Sequence, residues 1–355
     1  MNHPGNPTLE GRVLGGGRYR LLRILGRGGM GVVYEAVQVD LGRRVAIKLL
    51  GADVSPSALS RLGTEAQVMA RLGNPHVAQI SDFQHPPGEP AFLVMELLVG
   101  QSLAQLLHAE GVIAWERAAR IGMQILDALG AAHAARVVHR DVKPANVFVV
   151  ASAAVPDMVK VLDFGIAKVA GGDDAGPITR PGAALGTVTY MAPEQAFSEP
   201  VDGRADLYAV GVCLYQAVSG RRPFEGADAR MILAAMAVGV PVPLEKYCPH
   251  VPVAFRSVVE RALRRHPAER FQSAQEMIAA LAACLGVGPH EAPITIPSAS
   301  VAPHSSPRAV IPETTMDVPV SSAVPQMPQA YGAAPLYPTM TSQGLGPPSP
   351  STALG

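Results

Sequence analysis

Two nearby stretches carry acidic, amide and basic side chains at spacings that suit phosphoryl transfer. Residues 137–150 read Val-Val-His139-Arg140-Asp141-Val-Lys143-Pro-Ala-Asn146-Val-Phe148-Val-Val, and residues 159–165 read Val-Lys-Val-Leu-Asp163-Phe164-Gly165. The apolar, β-branched runs at 147–150 and 159–162 predict a hairpin. Closing that hairpin brings Asp141 and Asn146, before its first strand, to Asp163, after its second. Phosphoryl transfer needs little covalent help but demands positioning and charge neutralisation. A carboxylate such as Asp141 can orient a hydroxyl and accept its proton. Asp163 and Asn146 offer hard oxygens of the kind Mg2+ takes, and Lys143 is placed to steady a moving phosphate.

His139-Arg140-Asp141 with Asn146, followed by Asp163-Phe164-Gly165, resembles the catalytic loop and magnesium loop of protein kinases. Either tripeptide alone is weak, since a given tripeptide arises by chance in about 0.04 of chains this long. Both in order, with asparagine five residues after aspartate, are specific.

The elements that would position these residues begin at Tyr19. Residues 19–25, 32–39 and 43–50 read as short strands separated by glycine-bearing turns. Between the first two lies Leu25-Gly26-Arg27-Gly28-Gly29-Met30-Gly31-Val32-Val33, a G-x-G-x-x-G-x-V pattern. Glycine makes up 35 of 355 residues, so the pattern by itself says little. Its context decides: a dinucleotide fold would follow the glycines with a helix, whereas a strand-like run follows here. A strand–loop–strand flap resembles the kinase phosphate cover, where backbone N–H groups approach phosphates that side chains would block.

The third strand closes on Val45-Ala46-Ile47-Lys48. A lysine ending an apolar strand is most often a snorkelling edge charge. After the glycine flap, Lys48 resembles the lysine that holds the α- and β-phosphates of ATP. Its expected acidic partner is Glu65, on a helix predicted over residues 57–72 by the spacing of Leu59, Leu62, Ala66, Met69 and Leu72. Residues 77–80 and 91–97 complete a five-stranded sheet. The resemblance then implies Met95 at the back of an adenine pocket and Glu96 to Leu98 as the hinge whose backbone bonds adenine. It places Val33, Ala46 and Phe148 on the two sides of the base.

Helical patterns dominate the rest: 103–108 capped by Ser102, 115–135, 205–219, 255–263 and 273–285. The helix over 205–219 is apolar all round, which predicts burial. Asp206 reads either as its cap or, from the resemblance, as the anchor of the catalytic-loop backbone. His133 reads as a core or surface residue. Residues 166–185 resemble an activation segment, closed by Ala192-Pro193-Glu194, and Arg270 resembles the arginine that pairs with Glu194. Arg140 is suited to hold a phosphate placed on that segment. Thr179 is the first choice for such a modification. Thr187 more resembles the threonine that bonds the catalytic aspartate and lysine, and Thr189 is a further candidate.

Twenty-nine basic and twenty-nine acidic residues balance to zero, which argues against nucleic acid or a membrane surface as partner. Three widely spaced cysteines, Cys213, Cys248 and Cys284, fit neither a disulfide framework nor a zinc site, and point to a reducing, cytoplasmic setting. The N-terminus lacks a signal-peptide core, and the apolar run over 231–244 is broken by Gly239, Pro241 and Pro243, so no membrane span is expected. Residues 291–355 hold thirteen prolines and four charged residues without helical or strand periodicity. They read as a disordered tail, inert or able to dock to partner domains.

The expected fold class is α+β: a bilobal protein-kinase fold with a small five-stranded β lobe carrying one main helix, a larger mainly helical lobe, and the tail. Expected boundaries are a flexible lead-in over 1–17, a kinase domain over 18–285 (small lobe 18–98, large lobe 99–285) and the tail over 286–355. The chain is similar to bacterial eukaryotic-type (Hanks-type) serine/threonine kinases. That implies ATP and Mg2+ as cofactors, protein hydroxyls as substrates, and self-association for autophosphorylation in trans. The implied roles are Asp141 as base, Lys143 as stabiliser of the transferred group, Lys48 with Glu65 as ATP-positioning pair, and Asn146 and Asp163 as metal ligands. The rivals are a pseudokinase scaffold working through its tail and a small-molecule phosphotransferase. Filled catalytic positions argue against the first, and the Ala192-Pro193-Glu194 segment with Arg270 against the second.

Overall fold

A computed structural model describes residues 9–28, 31–51, 54–151, 155–164 and 188–288. Gly29, Met30, Gly165, Thr179, Thr187 and the proline-rich tail lie outside these residues.

The first lobe is an antiparallel sheet in the order β1 (Val13–Leu14), β2 (Tyr19–Gly28), β3 (Gly31–Gln38), β4 (Arg43–Leu50), β6 (Phe92–Glu96), β5 (Ile80–Gln84). Period-two alternation sorts its residues. Tyr34, Ala36, Val45 and Ile47 point to one face and are buried with Leu14, Leu21 and Phe92. Val33, Glu35, Ala46 and Lys48 share the other face, because Val33 pairs with Lys48 and Glu35 with Ala46. Glu35 is buried there and bridges Arg23 at 2.7 Å and Arg44.

Two expectations are corrected in this lobe. The sheet has six strands, not five, because Leu14 pairs with Tyr19 and inserts fully buried into the core. Order therefore reaches back into the segment read as a loose lead-in, where three successive glycines hid a two-residue strand. The strand expected over 77–80 also lies later, at β5. Asn74 turns the chain by accepting from the N–H of His76, and the Ala78 N–H then bonds to Val161 O at 3.0 Å while the Val161 N–H bonds to His76 O at 2.8 Å. Residues 76–78 thus spend their backbone groups on the other lobe. Helix α1 (Pro56–Ala70) opens on a Ser55 cap and packs through Ala58, Leu62, Ala66 and Met69.

The second lobe is built from β7 (Gly100–Ser102), α2 (Leu103–Glu110), α3 (Trp115–Ala134), the predicted hairpin β8 (Val147–Val150) and β9 (Met158–Val161), α4 (Pro193–Ala196), α5 (Arg204–Ser219), α6 (Ala229–Val238), α7 (Val253–Ala262) and α8 (Ala274–Leu285). Ser102 caps α2 in a reciprocal box with Gln105. Helix α5 is buried all round, as its composition predicts, with α3 and α7 among its neighbours. Asp206 does not cap it: Gly203 holds the cap position without a side-chain bond. Helix α6 was not predicted, although its marks are visible in retrospect. Asp228 accepts from the Met231 N–H, and Gly239 ends the helix at φ 75°. The hairpin turn is tied down away from the catalytic loop by Arg117, which grips Asp157 at 2.7 and 2.8 Å.

Candidate active site

Asp206 is the post on which the catalytic stretch is hung. Buried at the start of α5, it accepts the His139 N–H at 2.9 Å and the Arg140 N–H at 2.8 Å, one on each oxygen, and stands 2.8 Å from His133 Nε2. This bears out the anchoring role and gives His133 a structural one. Arg140 takes φ 63°, a left-handed conformation that costs an ordinary residue energy, and these two bonds hold it there. The His139 ring is fully buried. Its Nε2 donates to Leu162 O at 2.8 Å and its Nδ1 accepts from the Asp141 N–H at 3.3 Å, which assigns the neutral Nε2–H tautomer. The ring packs on Phe164 at 4.6 Å. The residue before the loop's arginine therefore ties the stretch around Asp141 to the one around Asp163, a job its sequence position did not reveal.

Within the loop, Lys143 Nζ lies 2.7 Å from Asp141 Oδ2. Asn146 Nδ2 donates to the Asp141 backbone O at 2.9 Å and to its Oδ2 at 3.0 Å, and Asn146 O accepts the Leu162 N–H at 2.8 Å. These bonds set the amide flip and leave Asn146 Oδ1 uncommitted in them. Asp163 follows immediately at φ 57°. Its Oδ1 meets Lys48 Nζ, from the other lobe, at 2.8 Å. Side-chain bonds thus join Asp141, Lys143 and Asn146 in one group and Lys48 and Asp163 in another, and the bond from the Leu162 N–H to Asn146 O ties the two stretches together.

Glu65 is the exception. The expected Lys48–Glu65 pair is absent: Lys48 is taken by Asp163, and Glu65 Oε2 is buried with no hydrogen-bond partner among the described residues. Burial raises the Glu65 pKa, against the smaller opposing pull of Arg140 and Arg61.

Above the cluster, Val33, Ala46 and Lys48 face the same way from β3 and β4, and Ala46 pairs with Met95. Phe148 is half-buried on β8. The Glu96 side chain is engaged by Lys160 at 2.7 Å and by the Gln79 N–H at 2.8 Å, while the Leu98 N–H has no partner among the described residues. Leu25, Gly26, Arg27 and Gly28 run along β2 to the flap, and Gly31, Val32 and Val33 lead out of it. Gly31 has to be glycine: at φ 145° a Cβ would sit 1.8 Å from Leu49 O.

The segment beyond the catalytic loop is locked to it. Gln195 Nε2 donates to Arg140 O at 3.0 Å. Glu194 and Arg270 form the expected pair, both buried, at 2.7 and 2.8 Å, and Arg270 also donates to the carbonyls of Arg204, Arg264 and Arg265. Thr189 is only 5% exposed, which weighs against it as a modification site.

A family model described as "Protein kinase domain" matches residues 19–280. The chain is 42% identical over 271 residues to a serine/threonine-protein kinase, pkn2, of Myxococcus xanthus, covering 75% of this chain and 32% of that one. It is 38% identical over 314 residues to the serine/threonine-protein kinase PknA of Mycobacterium tuberculosis, covering 86% of this chain and 70% of that one. Among solved structures, the Mycobacterium tuberculosis PknI kinase domain superposes with a TM-score of 0.58 at 26% identity, over 75% of this chain and 96% of that one. Rad53, solved with AMP-PNP, shares the fold with a TM-score of 0.62 at 22% identity, over 74% of this chain and 64% of that one.

Proposed function

We propose that this chain, which belongs to the protein kinase family, transfers the γ-phosphate of ATP to serine and threonine hydroxyls of proteins. The observation that carries the reading is the contact of Lys48 with Asp163 at 2.8 Å. It brings a lysine of the sheet lobe to the open end of the hairpin, the end from which Asn146 bonds to Asp141.

Asp141 receives the substrate hydroxyl and accepts its proton. It is held for this by the two bonds from Asn146 and by the loop anchored on Asp206. Lys143, already beside Asp141, balances the charge of the group in transfer. Lys48 binds the phosphates, and the flap around Gly26, Gly28 and Gly31 covers them with backbone N–H groups. The adenine lies between Val33 and Ala46 on one side and Phe148 on the other, against the hinge at Glu96 and Leu98. The Leu98 N–H, without a partner among the described residues, is a donor suited to it.

Mg2+ supplies neutralisation of the phosphate charge when bound. Its protein ligands would be Asp163 and Asn146, whose Oδ1 is left over by the amide's bonds to Asp141. Among the described residues no group of three or more acidic, histidine or cysteine side chains could cage a metal. A two-ligand oxygen set fits an ion that otherwise holds water and phosphate oxygens.

The kinase domain spans 18–285 with the tail after it, and Thr179 and Thr187 are the candidate sites of autophosphorylation, performed by one copy on another. No helix among the described residues is long and apolar enough to cross a membrane. A cytoplasmic enzyme signalling to bacterial proteins, with a tail that is inert or docks partner domains, is the setting of this reading. The test is labelled ATP with a protein acceptor, followed by phosphoamino-acid analysis. Label on serine or threonine with wild type and none with Asp141→Asn is expected. Equal label in both would remove the assignment.

A further inference from the structure

A cavity of about 540 Å3 opens between the segment leading into α4 and the connection from α5 to α6. Thr189, Gln216, Arg221, Arg222, Phe224 and Glu225 line it. Its place in the fold matters. The same segment ends in Gln195, whose side chain donates to the carbonyl of Arg140, the residue before Asp141. One wall of the cavity belongs to the segment that is hydrogen-bonded to the catalytic loop.

The cavity's charge is unbalanced. Arg221 is neutralised in part by Glu225 at 3.8 Å and lies on the Tyr247 ring at 4.9 Å. Arg222 forms no ion pair among the described residues. It is half-buried and stands over the ring of Tyr190, 5.9 Å from its centroid, and its guanidinium also acts on the Tyr190 hydroxyl, which donates to Gln216 Oε1 at 2.5 Å. The floor, Phe224 and Ile232, is buried and apolar. A guanidinium without a carboxylate, set in a partly dry concavity, is poised for an anion. Pairing there is screened less than at an open surface.

Resting on the kinase reading above, we propose that this cavity receives an aspartate or glutamate side chain flanking the phosphoacceptor of the substrate, with Arg222 as the specificity-determining group.

The test uses the full chain, labelled ATP and synthetic peptides carrying one threonine. Each flanking position is set in turn to aspartate, alanine or lysine. The readout is the ratio of kcat/KM for the aspartate peptide to that for the alanine peptide, so that any general loss of activity in a variant cancels. At one flanking position the wild type is expected to prefer aspartate roughly fivefold and to disfavour lysine. Arg222→Gln brings the ratio to about one, and Arg222→Glu reverses the preference toward lysine. Arg221→Gln, whose charge Glu225 already engages, moves the ratio less. A wild type without acidic preference at any position, or a preference undiminished in Arg222→Gln, overturns the proposal while leaving the kinase reading intact. Absence of label on every peptide, every protein and the chain itself removes the kinase reading and this one with it.

Discussion

Replacing Asp206 by asparagine changes one atom and removes one charge from a fully buried site. The carboxylate serves three donors: Oδ1 takes the Arg140 N–H, and Oδ2 takes the His139 N–H and lies against His133 Nε2. Asparagine has a single acceptor oxygen. Whichever way it flips, its NH2 group faces a donor that has lost its partner. The better flip keeps the two bonds at Oδ2 and forfeits the one to Arg140. A hydrogen bond to a charged group contributes about 1.5–3 kcal/mol and a neutral one about 1. One bond lost and two weakened by about 1 kcal/mol each come to roughly 4 kcal/mol. Against a typical total of about 5–15 kcal/mol this is a large share, and it corresponds to a fall in Tm of about 10 °C. Urea denaturation followed by fluorescence and far-UV circular dichroism measures it. Activity should fall further than unfolding explains. The lost bond leaves Arg140 free to relax from φ 63°, and Asp141 is the next residue. A shift of about 1 Å in a reacting group costs about a hundredfold in rate. A variant that is less stable by under about 1 kcal/mol, or that keeps wild-type kcat at a temperature where it is folded, would refute the reasoning.

The buried pair of Arg270 and Glu194 makes a second prediction: Arg270→Met strands an unpaired carboxylate and costs about 3–5 kcal/mol in urea denaturation, whereas a loss under about 1 kcal/mol would show the pair to be dispensable. Gly31→Ala forces a Cβ onto Leu49 O and should raise the KM for ATP about tenfold through a displaced flap; an unchanged KM would count against the flap's role. Burial holds the His76 pKa below its ordinary value. Above about pH 6.5 both folded and unfolded states are neutral there, so His76 adds no slope. Below that the unfolded chain protonates first, and stability falls by up to about 1.4 kcal/mol per pH unit until the folded pKa is reached. His76→Gln should flatten the stability curve between pH 6.5 and 5.5, and identical slopes would contradict the assignment.

Most of the site was legible because its residues are close in sequence. Asp141, Lys143, Asn146 and Asp163 flank one hairpin, whose β-branched strands announce it. Lys48 was legible from the resemblance of its apolar strand, after a glycine flap, to the family's lysine-bearing strand. What the sequence hid depends on contacts between distant segments. Nothing in the order of residues says that Asp163, rather than Glu65, takes the Lys48 amine, because that choice turns on how α1 packs and how deeply Glu65 is buried. The bonds of His139 to Leu162 and of Gln195 to Arg140 are likewise invisible before folding. Strand β1 escaped because it is two residues long beside three glycines. Strand β5 was misplaced because residues 76–78 pair with β9 instead of continuing the sheet. Helix α6 is marked at its ends by Asp228 and Gly239, but its apolar run continues past Gly239 and so hides the helical boundary.

The central claim is that Lys48, Asp141 and Asp163 act on one nucleotide in one cleft. Single-turnover rates of γ-phosphate transfer in Lys48→Met, Asp141→Asn, Asp163→Asn and the three double variants test it most directly. Each single change is expected to lower the rate at least about a hundredfold, and each double to be hardly worse than its poorer single, because groups acting as a unit are not additive. A single variant that transfers phosphate at the wild-type rate, or doubles whose losses multiply in full, would contradict it.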